Sequence, residues 1–183
     1  MPRILSKPDD LSDPAEMVIR ARRGGKLLNL DRQLLYSPPF AQGWSAMLAA
    51  VRTELSLPGV LREIAICAVA TINQASYEFD HHAPLIVAEG GSQAQVDALR
   101  DVDAALERAD LFDATELAVI RLTREMTRSV EVSDATFDDA RVRLGSERHT
   151  IELVGVIATY NMVSRFLVAL EVEHDKPAEQ APS

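Results

Sequence analysis

Cysteine is nearly missing from the chain: Cys67 stands alone. A single thiol cannot form an intrachain disulfide or run an internal dithiol redox cycle, and it fits a reducing, cytoplasmic compartment. Basic residues are in deficit, with 19 Lys and Arg against 28 Asp and Glu and a net charge of -9. That balance excludes sequence-independent nucleic-acid binding, which needs a basic footprint, and docking on anionic lipid. No run of about 18 apolar residues is free of charge, so no membrane span is expected. The N-terminal stretch MPRILSKPDDLSDPAE lacks the apolar segment of a secretory signal. Low-complexity blocks, repeats and runs of alternating β-branched residues are missing too.

What is present is ordinary for a globular protein: 47% hydrophobic and 26% charged residues in a chain of 183. That length suits one domain, which would bury roughly 70% of its unfolded surface without staples. Hydrophobic spacings of three and four predict an all-α bundle, a single domain over 1–183 with its core at about 30–174. The N-terminal segment through Pro14 is predicted to run over the surface. The tail 175–183, ending KPAEQAPS, is predicted to be frayed or disordered.

Start and stop signals divide the rest. Pro14 opens a helix through Arg23, stopped by Gly24-Gly25. Helices are predicted at about Phe40–Leu55, from Pro58 to Asn73, and from Ser76 to Gly90-Gly91. Ser92 with Gln95, and Asp113 with Glu116, have capping-box spacing and start two more. The helix after Asp113 runs to about Ser129, Ser133 caps one ending at Gly145, and the last covers Glu147–Glu173.

Two helices are apolar nearly all round, VLREIAICAVATI and LVGVIATYNMVSRFLVAL. Such helices are central, within a domain or at a subunit contact. Each carries a thin polar stripe. Glu63, Cys67, Ala70 and Gln74 fall within about a quarter turn of the first. Asn161 and Arg165 are i, i+4 neighbours on the second. A buried carboxylate or guanidinium is costly unless paired, so Glu63 and Arg165 need partners. Arg165 with Asn161 suits a substrate carboxylate; the alternative is an ion pair with Glu63 or Glu152.

The segment NQASYEFDHHAPLIVAE is the richest in chemistry. Glu78 and His82 share one face, with Glu89 further along, and Tyr77 and His81 form a second i, i+4 pair. Pro84 removes a helical hydrogen bond, which predicts a kink. Histidine titrates near neutrality and burial tunes glutamate upward, so the pattern suits proton transfer. The alternative is an exposed pair on a solvated face. Glu78-Phe79-Asp80-His81 and Glu171-Val172-Glu173-His174 both have di-iron spacing, but His174 lies near the chain end and no metal is expected. Trp44 and Tyr36 could line a pocket or sit in the core. Thr71 and Gln74 could serve only to satisfy backbone groups.

The stretch LREIAICAVATINQASYEFDHHAPLIVAEGGS resembles the carboxymuconolactone decarboxylase and alkylhydroperoxidase D-like superfamily. Members read RE, an apolar run, N-x-x-Y-E, an aromatic, x-HH and then a small-residue turn. LTREMTRSVEVSDATF and ELVGVIATYNMVSRFLVALEVE also match, so the resemblance spans about Leu30 to Glu173. It implies the alkylhydroperoxidase D-like helical bundle, no cofactor, and a homo-oligomer, trimer or hexamer. The peroxidase branch uses a glutamate, a Cys-x-x-Cys pair and a histidine. Glu63 and His82 match the first and last, whereas the cysteine positions fall on Ala75 and Glu78. With both thiols absent, dithiol peroxide reduction is excluded. The decarboxylase-like branch is the better analogue.

The resemblance and the residues together predict an enzyme of lyase or isomerase type. It would act on a small organic acid or lactone with Glu63, Glu78 and His82 as catalytic groups. Tyr77, His81, Asn161 and Arg165 would contact the substrate. Two alternatives stay open: a peroxiredoxin-like antioxidant using Cys67 and an external thiol, and a non-catalytic small-anion-binding protein. Nearby carboxylates and apolar walls would raise the Cys67 pKa, which disfavours the first.

Overall fold

A computed structural model describes residues 2–175. Every regular element among the described residues is an α-helix, as the spacing predicts: α1 (Pro14–Arg22), α2 (Asn29–Leu34), α3 (Pro38–Thr53), α4 (Gly59–Ile72), α5 (Ser76–Ala88), α6 (Gln93–Ala98), α7 (Val102–Ala105), α8 (Ala114–Ser129), α9 (Asp134–Leu144) and α10 (Glu147–Leu170). The chain divides into two compact units, one formed by its two terminal segments and one by residues 50–169.

In the first unit, Asp13 caps α1 through its carboxylate and Pro14 fills the first helical position. Gly24 and Gly25 follow at φ +67° and +95°, a left-handed path open to residues without a Cβ. The short α2 has no periodicity for the sequence to show. Its start is fixed by Asp31, whose carboxylate accepts from the Leu28 N–H at 3.0 Å. The Asn29 N–H donates to the Asp175 carboxylate at 2.7 Å, so Asp175 does not belong to a free tail. The rest of the predicted disordered tail lies outside the described residues.

The second unit is built around α4. Leu61 and every residue from Glu63 to Ala70 are buried. Burying each Ile, Leu or Val there stabilises the fold by about 1.5–3 kcal/mol, which explains why an all-apolar helix lies at the centre. It packs against α5, α7 and α8. Both predicted capping boxes form, Ser92 with Gln95 and Asp113 with Glu116. The short α7, not foreseen, is capped by Asp101. The α5 helix continues through Pro84 to Ala88.

Two further differences concern α10. It ends at Leu170, three residues before the predicted limit, because Glu171 turns to φ +51° without a glycine or proline to announce it. It is also long and apolar enough to cross a bilayer by length and composition, although half of that window is buried inside the protein. Leu153, Val156, Ile157, Tyr160, Val163 and Leu167 face inward. Ile151 and Val168 remain exposed, so only one side is covered.

Candidate functional site

The polar stripe of α4 meets the acidic, histidine-bearing face of α5 inside the second unit. Glu63, Glu78 and His82 are 1%, 2% and 5% exposed. This overturns the alternative of a solvated Glu–His face. Glu63 Oε2 lies 2.6 Å from His82 Nδ1. Its other oxygen, Oε1, accepts from Arg62 Nε at 2.9 Å. Arg62 in turn reaches Glu89 at 3.4 Å.

These contacts set the charge states. Burial alone would raise the Glu63 carboxyl, but the hydrogen bond of His82, its charge when protonated, and then the hydrogen bond and charge of Arg62 hold it below its ordinary value. Glu63 is therefore a carboxylate at neutral pH. Burial pushes His82 down further than Glu63 raises it. A neutral His82 beside an ionised Glu63 carries its proton on Nδ1, donated to the carboxylate. Nε2 has no hydrogen-bond partner among the described residues.

Glu78 is the opposite case. Both of its carboxyl oxygens are buried without a hydrogen-bond partner. Burial raises its pKa well above the ordinary carboxyl value, and the charge of Arg52 opposes only in part. Burial thus favours the protonated form of Glu78, one helical turn from an imidazole that burial pushes toward its neutral form. Two groups pushed apart in this way are suited to act as acid and base. Leaving a buried acceptor unmade costs about 1–3 kcal/mol, so such an orphan calls for a role.

Two residues that the sequence did not single out complete the cluster. Arg52, at the end of α3, donates from Nε to Tyr160 Oη at 3.0 Å. The Tyr160 ring meets the His82 ring edge-on, with centroids 5.0 Å apart. Burial raises the Tyr160 hydroxyl to about 12, against the charge and hydrogen bond of Arg52. Arg52 lies on a different helix from the other site residues, and Tyr160 sits within an apolar run, so no local spacing marks either.

The remaining candidates lie as follows. Tyr77 and His81 form a pair of their own: their rings stack at 4.4 Å and His81 Nδ1 meets the Tyr77 carbonyl at 2.7 Å. Asn161 is committed to a network, donating to Thr127 Oγ1 and the Ile157 carbonyl and accepting from Asn73. Arg165 is exposed and donates to the side-chain and backbone oxygens of Asn161 at 2.6 and 3.1 Å. The alternative ion pairs for Arg165 do not form, because Glu63 pairs with Arg62 and Glu152 with Arg148. Cys67 is fully buried, and burial followed by the charges of Glu63 and Glu78 drives its thiol pKa upward.

Thr71 Oγ1 donates to the Leu99 carbonyl, a backbone-satisfying role as weighed from sequence. With Gln74, Phe79 and Arg100 it lines an open cavity of about 280 Å³. Trp44 is buried, and Tyr36 is exposed, its hydroxyl donating to the Leu5 carbonyl. Among the described residues, no three His, Cys, Asp or Glu side chains are grouped to hold a metal ion.

An all-α bundle with a histidine–carboxylate pair and an unpartnered carboxyl in its core defines the class. Residues 38–125 of the chain match the carboxymuconolactone decarboxylase family. Solved structures share the fold. An uncharacterized peroxidase-related protein from Ralstonia eutropha JMP134, with an alkylhydroperoxidase AhpD core, is 16% identical, with TM-score 0.78 over 95% of this chain and 92% of that one. An uncharacterized peroxidase-related protein from Silicibacter sp. TM1040 is 19% identical, with TM-score 0.75 over 93% and 92%. A cysteine-to-alanine variant of the debrominase Bmp8, in complex with 2,3,4-tribromopyrrole, is 20% identical, with TM-score 0.76 over 94% and 92%. No functionally curated protein matches the chain.

Proposed function

We propose that this protein is a cofactor-independent enzyme of lyase or isomerase type that moves a proton on a small organic acid or lactone. The observation that carries the proposal is the buried Glu63–His82 contact of 2.6 Å, which leaves Nε2 of His82 uncommitted. Glu63 fixes the ring and its tautomer. Nε2 takes a proton from the substrate carbon, and the imidazolium that forms is stabilised by the Glu63 carboxylate. Glu78, holding its own proton, donates to the oxygen or carbon on which charge develops. The superfamily supports an enzymatic role without choosing the reaction.

The test is turnover of lactones and small carboxylic acids by the wild type and by His82→Gln. The variant is expected to keep its helical circular dichroism and to lose about 10²–10⁴-fold in turnover, the usual weight of a positioned acid or base. Turnover equal to wild type would overturn the mechanism. A thiol peroxidase centred on Cys67 has less support, since a fully buried, un-ionised thiol is a poor nucleophile. The reading includes a homo-oligomer, trimer or hexamer. The exposed Ile151 and Val168 on α10 support it, and light scattering at working concentration tests it.

A further inference from the structure

Arg52 and Glu78 present an unresolved pairing. Arg52 is half-buried, and its Nε is committed to Tyr160. Its guanidinium enters no ion pair among the described residues. Glu78 keeps two buried oxygens without partners. The two side chains share one electrostatic neighbourhood with His82 and Tyr160, because the Arg52 charge acts on all three. Yet they make no contact within the 4.0 Å that defines a salt bridge. A carboxyl buried without a partner is costly, and the fold does not relieve that cost at Glu78.

We propose that Arg52 anchors an anionic group of the substrate, a carboxylate or the enolate oxygen derived from it, between its guanidinium and the Glu78 carboxyl. A guanidinium presents parallel N–H donors that match two carboxylate oxygens. The bond from Nε to Tyr160 fixes the plane of the fork and leaves its terminal nitrogens to the ligand. The Glu78 O–H supplies a third donor. The Tyr160 ring lies against His82, so the same contact that orients Arg52 places the anion beside the imidazole. Arg165, the residue favoured by sequence spacing, is instead exposed and bonded to Asn161. The assignment rests on the proton-transfer reading of the site and names the charge its substrate must carry there.

The experiment uses acetate as the probe and acetamide as its neutral isostere, followed by amide chemical shifts of the full-length protein at constant ionic strength. Acetate is expected to shift resonances around α4 and α5 saturably, and acetamide is not. Arg52→Met should weaken acetate binding about tenfold or more, while Arg165→Met leaves it unchanged. If Arg52→Met fails to fold, Arg52→Lys keeps the charge, loses the fork, and is expected to show a smaller loss in the same direction. No saturable acetate shift in the wild type, or equal affinity in Arg52→Met, overturns the anchor.

His82→Gln separates the two claims. Acetate binding retained with turnover lost supports both. Acetate binding retained with turnover unchanged removes the proton-transfer reading and leaves the anchor standing.

Discussion

Two carboxyl groups of the same chemical type end in opposite states because of what surrounds them. Glu63 has two donors and stays ionised, whereas Glu78 has none and is pushed toward its protonated form. The sign of the pH effect follows. The Glu78 pKa is raised in the folded protein, so its contribution is complete below the ordinary carboxyl value of 4.5 and is lost as pH rises through the folded value. Glu78→Gln removes this dependence. The variant is expected to melt at a higher temperature than wild type at about pH 9 and to differ less at about pH 5, read by thermal denaturation. At Cys67 the expectation is silence: no reaction with an aromatic disulfide reagent until the protein is unfolded, and no sulfenic acid after peroxide treatment. Prompt labelling of the folded protein would reverse that. Glu63, Glu78 and His82 were legible as residues because their types and spacing fit proton chemistry. Their burial was not, since i, i+4 spacing is the same on a wet face and a dry one.

At the scale of elements, the helices with strong punctuation were readable. Ser92, Asp113 and Ser133 cap where the sequence places them. The elements that escaped are α2 and α7, of six and four residues, too short to show a period of 3.6. Arg52 escaped for another reason: a residue on α3 meets one on α10 only through tertiary packing, which no local pattern records. The dependence on α4 is testable. Ile66→Ala is expected to cost about 2–5 kcal/mol in urea denaturation, the range for a fully buried aliphatic truncation. The turn after α5 has less tolerance than its surface position suggests. A methyl group at Gly91 would stand 2.6 Å from Ile86 Cγ2 and 2.9 Å from the Ile86 carbonyl oxygen. Gly91→Ala is therefore expected to destabilise by about 1–3 kcal/mol, as overpacking does. A melting temperature equal to wild type would show that the turn yields.

For the whole molecule, these charge states pull stability in opposite directions as pH changes. His82 is depressed in the folded state, so its contribution is present above its ordinary value of 6.5 and is lost as pH falls through the folded value. Glu63 behaves in the same direction from 4.5 downward. Glu78 works in the other direction, its contribution falling as pH rises from 4.5 toward its folded value. A melting temperature measured across pH is expected to show acid and alkaline limbs, with the alkaline limb shallower in Glu78→Gln.

The deep position of His82 also has a consequence for time. With His82 only 5% exposed, a ligand that covers Nε2 is expected to need the surrounding helices to part. Openings of this kind occur on about microsecond to second timescales. The observed rate of acetate capture should therefore level off at the opening rate as concentration rises, instead of climbing in proportion to it. The protein's own breathing then becomes the clock of its chemistry.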